Sequence, residues 1–211
     1  TDGAAASVGG KGVAFTGAVT VGGALGTLAA SRLTSATVTA DSLGAIKIGG
    51  DVTNSTITLD APVAAGVLAV RSISVSGAFT DSRIAAAGAI GPVKVKTMTG
   101  SEIYSGVGDA APRFPATTDL AGTGAVGNVT AKTFADSVIA GHVLGRLKFG
   151  QIVTANNGVP FGLTADVLGG LTAANESKQK LKLPLTDDPA VLAAELSAQA
   201  FTTGDFAIRL A

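Results

Sequence analysis

The side chains in this sequence that could do chemistry are few and scattered. Asp51, Asp60, Asp81, Asp109 and Asp136 are spread singly along the chain, and His142 is the only histidine. Cleaving an acidic polysaccharide would need carboxylates gathered on one face, for general acid–base work or to hold calcium, with a basic residue and aromatic sugar platforms nearby. With no Trp and one Tyr, such platforms are scarce. A lone histidine without cysteine or a local carboxylate cluster makes neither a metal tetrad nor a catalytic triad. Calcium-binding nonapeptides of the Gly-Gly-x-Gly-x-Asp type do not occur in the sequence. No catalytic residue, metal site or cofactor is therefore expected.

The remaining candidates sit in loops. "SGVGDAAPRFPATTDLAGTG", Ser105 to Gly124, and "TANNGVPFG", Thr154 to Gly162, interrupt an otherwise regular pattern. Long loops on a rigid scaffold are the usual carriers of function. They offer Tyr104, Asp109, Arg113, Phe114 and Phe161 as binding candidates. The alternative for Phe114 and Phe161 is a structural one, as anchors that tuck the loops against the scaffold.

Composition says what that scaffold is made of. Apolar residues are 46% of the 211, aromatics 4% and charged residues 14%, with 29 glycines and no Cys. A core must be built from Val, Ile, Leu and Ala with glycine at the turns, which favours many short strands over helices. Fifteen basic and fifteen acidic residues cancel, leaving no net basic field for nucleic acid. Every apolar run of membrane-spanning length, about 18 residues, is broken by Gly, Ser, Thr or a charge, so no membrane span is expected. Absent cysteine removes disulfides and thiolate chemistry. A first residue of Thr in place of Met is expected of a processed secreted protein or an excised domain.

Repetition decides the fold. Anchored on Ile46 and Ile48, an apolar-x-apolar pair recurs at Leu28/Ala30, Ile73/Val75, Val93/Val95, Val129/Ala131, Leu147/Phe149 and Leu171/Ala173. Just before these pairs stand Leu25-Gly26, Leu43-Gly44, Ile90-Gly91, Val126-Gly127, Leu144-Gly145 and Leu168-Gly169, with Val70-Arg71 as the exception. A third apolar column runs through Leu33, Val52, Phe79, Met98, Phe134 and Ile152, and a fourth through Val38, Ile57, Ile84, Ile103 and Ile139. The shortest step between units is 18 residues. Five inward residues in such a step describe one coil of a β-solenoid, with coils stacked about 4.8 Å apart so that like residues form columns. We expect an all-β parallel β-helix, right-handed because parallel connections generally are.

The polar positions also fall in columns. Thr53-Asn54-Ser55, Thr80-Asp81-Ser82, Thr99-Gly100-Ser101 and Ala135-Asp136-Ser137 put Asn, Asp or Gly where a corner needs left-handed backbone, and the serines are expected to form a hydroxyl ladder inside it. Asp81 and Asp136 share that corner two coils apart, about 9.6 Å, too far to share a proton. Lys47, Lys94 and Lys148 occupy one outward column, with Ser74 and Thr130 between them. Such a row can meet an anionic glycan or simply keep a sheet from self-pairing. Thr37/Thr39 and Thr56/Thr58 begin a flat array like those of ice-binding solenoids, which Arg83/Ala85 and Glu102/Tyr104 then break.

The expected organisation is a flexible lead over residues 1–12, a solenoid over 13–177 and a cap over 178–211. The insertion "LDAPVAAGVLAV", Leu59 to Val70, should pack on the solenoid. In the cap, Asp187 or Asp188 should start a helix with Pro189 in its first turn and Val191, Leu192 and Leu196 on one face, followed by the strand "DFAIRLA".

The repeats "GAIKIGGDVTNSTI", "GPVKVKTMTGSEI" and "GNVTAKTFADSVI", with the closing "GDFAIRLA", resemble the repeat-rich β-helix segments of large secreted or cell-surface bacterial proteins of the planctomycete type. The resemblance covers Leu25 to Leu171 and the C-terminal stretch, and it transfers no catalytic residue. It implies a cell-surface or extracellular location. Together with the residue-level reading, it leads us to expect a non-enzymatic structural module, an adhesin stalk or a unit of a fibre or coat, that associates with itself or with other surface proteins. The alternative is a carbohydrate-binding or polysaccharide-cleaving β-helix that uses the 105–124 loop.

Overall fold

The computed structural model describes residues 5–10, 12–60, 67–108, 111–120 and 124–211. Asp109 and the middle of the Leu59–Val70 insertion lie outside them. The described residues form a parallel β-solenoid with three strand-bearing faces. Leu25, Leu43, Val70, Ile90, Val126, Leu144 and Leu168 stand in register on the first face, joined there by the column Val8, Leu28, Ile46, Ile73, Val93, Val129, Leu147 and Leu171. Phe15, Leu33, Val52, Phe79, Met98, Phe134 and Ile152 form the second face. Val19, Val38, Ile57, Ile84, Ile103, Ile139, Leu163 and Ile208 form the third.

Period-2 alternation turns each of these residues inward, where most are almost wholly buried. Burial of each Leu, Ile or Phe contributes roughly 1.5–3 kcal/mol. The filling changes along the axis: early coils carry single rings at Phe15 and Phe79 among aliphatic residues, whereas in later ones the rings cluster, with Phe134 stacked on Phe149 at 4.5 Å and Phe161 and Phe206 packed edge-on or tilted beside them.

The apolar-Gly dipeptides have a steric cause. A Cβ on Gly44 would lie 2.2 Å from the Gly26 carbonyl oxygen, and one on Gly91 would lie 2.0 Å from that of Arg71. Successive coils touch backbone to backbone at this turn.

The Ser corner is the ladder that its spacing suggests. Asn54, Asp81, Gly100 and Asp136 all have positive φ, from 42° to 60°. Each following serine is buried, and its hydroxyl donates to the carbonyl two residues earlier. That same Oγ accepts a backbone N–H from the preceding coil: Ala36 to Ser55, Ser55 to Ser82, Ser82 to Ser101 and Ser101 to Ser137, at 3.0–3.2 Å. Polar groups that a tight corner would strand are thus paired up the stack.

The two ends differ from the sequence reading in detail. Ala5–Gly9, within the expected flexible lead, is a strand paired in parallel with Ala24–Ala30; its small residues carry almost no apolar signal. At the other end Lys180–Leu183 turns back antiparallel beside Leu171–Ala174 and pairs the open edge of the first face. Asp188 caps the helix Pro189–Ala198 by accepting the Ala190 N–H at 2.7 Å. Leu192 is buried and Leu196 packs on the core, but Val191 is 42% exposed and does not share their face. The final strand, Phe206–Leu210, runs parallel to Phe161–Ala165 and adds a coil to the third face. No helix among the described residues is long and apolar enough to cross a membrane.

Candidate functional site

The 105–124 loop leaves the third face after Ser105 and folds back over it. Val107 and Leu120 bridge its base, and Asp119, at the end of the 3-10 turn Thr117–Asp119, accepts the Ala116 N–H at 2.7 Å. Tyr104 precedes the loop at an outward position of its strand, yet it is only 2% exposed because the loop covers it. Its hydroxyl donates to the Arg113 carbonyl. Burial, and after it the charge of Glu102, pushes the phenol well above the usual tyrosine range.

Two coils further on, the outward Thr164 hydroxyl donates to the Pro115 carbonyl at 2.8 Å. On the last strand, Arg209 lies 3.9 Å over the Phe114 ring and donates to the carbonyls of Phe114 and Pro115. Phe114 is consequently buried, as the anchor reading has it.

Charged groups gather at the rim of this contact. Arg113 reaches the Asp136 carboxylate at 2.7 Å and the Asp136 carbonyl, while its Nε stands 3.4 Å from Glu102. Glu102 also faces Arg83 at 3.8 Å, and Arg83 lies over the Tyr104 ring. Asn156 donates to Asp136 at 2.6 Å. Partial burial works against the Arg113 charge, but the hydrogen bond and attraction of Asp136, with Glu102 behind them, outweigh it and raise its pKa above the ordinary guanidinium value. Arg113 is about one-third exposed, so these pairs fix geometry more than they stabilise.

Of the five binding candidates, the structure brings together Tyr104, Arg113 and Phe114, while Asp109 lies outside the described residues. Phe161 is elsewhere: it is an inward residue of the strand Phe161–Ala165, wholly buried against Phe134 and Phe206. The Thr154–Gly162 loop is held instead by Asp205, which accepts the N–H groups of Asn156 and Gly158. His142 meets Asp166 from the next coil, a partner that only the stacking of coils supplies. Among the described residues no group of three His, Cys, Asp or Glu is placed to hold a metal.

Sequence reasoning missed Glu102, Asp136 and Arg209 as partners of the loop. The corner repeat announced Asp136 only as a turn residue. Fold and geometry define the class of the molecule as a three-faced β-solenoid with one face partly covered by its own loop. Comparison with known proteins returns no matching family model, curated protein or solved structure, so any functional reading rests on this geometry.

Proposed function

We propose that this chain is a non-enzymatic structural module of an extracellular or cell-surface assembly, a stiff prism that serves as a stalk or as a unit of a fibre or coat. The observation that carries the reading is how the loop's reactive groups are used. Tyr104, Arg113, Glu102, Asp136 and Asn156 are engaged with one another and with backbone in fastening the loop to the coils. Ladders of backbone and serine hydrogen bonds along the axis suit a load-bearing rod. Its partners are further copies or other surface proteins. Negative-stain electron microscopy with light scattering, over a range of protein concentration with and without calcium, tests this: ordered fibres or sheets are expected of a coat or fibre unit. Monomers at every concentration would remove self-assembly and leave the stalk.

One observation favours a second reading, polysaccharide binding or cleavage at the loop: Glu102 and Asp136 converge on Arg113 at its rim. Cations and an amide donor dominate the side chains around these carboxylates, with the Tyr104 phenol beside Glu102, an arrangement that suits a clamp better than an acid–base pair. Release of new chain ends from an acidic polysaccharide, abolished in Arg113→Ala, would make this second reading the leading one.

A further inference from the structure

The outward side of the corner between the first and second faces is a furrow. Two adjoining concavities, of about 590 and 420 Å³, share Ser74 and Ser76 and run from Ala29 to Gly150. Ala29, Lys47, Ser74, Lys94, Thr130 and Lys148 mark six successive coils, so the furrow is about 24 Å long at the usual strand spacing. Besides the expected column of Lys47, Lys94 and Lys148, it is lined by Lys96 and Lys132, which stand on neighbouring coils two residues further along.

All five lysines are exposed, and none has an ion-pair partner among the described residues. Among the described residues no carboxylate lines either concavity. The nearby Asp51 is turned to the Ala78 N–H at 2.7 Å. In a chain of zero net charge, four lysines on three consecutive coils are a marked segregation. If discouraging sheet pairing were their whole role, one outward lysine per edge would serve; these instead line a concave track parallel to the axis.

We propose that this furrow binds a linear acidic polysaccharide lying along the solenoid axis. Lys94 and Lys96, Lys132 and Lys148 present a cation at each of three successive coils, matching a polymer that carries a carboxylate or sulfate on each repeat. Ser74, Ser76 and Thr130 add hydroxyls for the sugar hydroxyls. The described lining has no aromatic ring on which nucleic-acid bases could stack. Its concave shape suits a chain rather than a lipid surface. This inference holds whether or not copies of the protein assemble.

The test is titration calorimetry of the full chain against polygalacturonate and dextran sulfate, whose arms separate carboxylate from sulfate recognition. Neutral dextran, oligothymidylate and vesicles of anionic and zwitterionic phospholipid are the comparisons. Binding to at least one acidic glycan is expected, weakening as salt rises, with a loss of about tenfold or more in Lys94→Thr/Lys96→Ser/Lys132→Ser/Lys148→Thr. The pair Lys94→Thr/Lys148→Thr, which only repeats the residue already present at Thr130, provides a fold-safe second variant with a smaller loss. Arg71→Gln/Arg146→Gln, which removes two exposed cations outside the furrow, should bind as the parent does. Equal binding by parent and both furrow variants, equal binding of neutral dextran, or tighter binding of oligothymidylate or anionic vesicles than of either acidic glycan would overturn the proposal.

Discussion

Among the described residues the third face is bare over its first coils and covered over its later ones, although its inward column hardly changes. Val38 and Ile57 lie beneath the bare half, Ile139 and Leu163 beneath the covered half, and all four are buried. The outward columns differ. Thr37 is exposed and Thr39, Thr56 and Thr58 are half-buried, while their register mates Val138, Ala140, Gly162 and Thr164 are buried. The inward pattern thus specifies the coil, and the outward residues specify what lies on it. Where a face meets water it carries threonine, which suits strands and hydrates well. Where it meets the loop it carries small residues, together with Thr164 and Arg209, which supply hydrogen bonds to the loop's carbonyls. Tyr104 marks the boundary.

The largest expected effect on this contrast comes from uncovering the second half. Phe114→Ala removes the buried ring under Arg209 and should cost about 3 kcal/mol. The loop should become protease-sensitive within 105–124 while the coils stay folded. The phenol gives a second readout, since Tyr104 is the only tyrosine and there is no Trp, so phenolate absorbance reports that residue alone. A raised pKa means that the fold favours the neutral phenol. That stabilisation is complete below the unfolded value of about 10 and is lost as pH rises through the higher folded value. Tyr104 should therefore stay un-ionised through pH 10 in the parent and titrate nearer that value in Phe114→Ala. Ionisation of the parent at its ordinary pH would mean that the loop does not cover this face.

A change to the scaffold should not distinguish the halves. Ser101 is fully buried, and its hydroxyl accepts the Ser82 N–H while donating to the Thr99 carbonyl. Ser101→Ala strands that N–H and should cost about 1–3 kcal/mol in denaturant unfolding. Loop protection should be unchanged in the folded state, because the ladder serves both halves alike.

These differences follow what a sequence can display. Columns such as Ile46, Ile73 and Val93 recur at coil spacing, and the Asn/Asp/Gly-x-Ser corner repeats with them, so both the stack and the ladder were legible. The Lys47, Lys94 and Lys148 row was legible for the same reason; Lys96 and Lys132 stand out only when two outward columns are seen to bound one furrow. The loop's attachment was not legible. Pro115 is held by Thr164 and Phe114 by Arg209, partners 49 and 95 residues away that no local pattern links. Phe161 follows Asn157-Gly158 and Pro160, which mark a loop, yet it is the first residue of a strand. Ala5–Gly9 is too poor in large apolar residues to announce its pairing.

The sharpest form of the comparison is a reciprocal exchange within one outward column. Thr39, Thr58, Ala85, Tyr104 and Ala140 are in register on successive coils, so Thr39 and Ala140 are equivalent positions on the bare and covered halves. Ala140→Thr forces a hydroxyl and a methyl into space closed by the loop, and it should cost about 1–3 kcal/mol from overpacking. Thr39→Ala takes the same atoms from a half-buried position that the described residues of the 105–124 loop do not reach. It gives up some strand preference and contact with Thr20 and Thr58, worth about 0.5 kcal/mol. Thermal unfolding of the two variants measures the difference directly. Equal small losses would mean that the loop yields to its face and covers it only loosely. A large cost confined to Ala140→Thr would establish that the outward residues of a coil are fitted to the particular surface that lies on them.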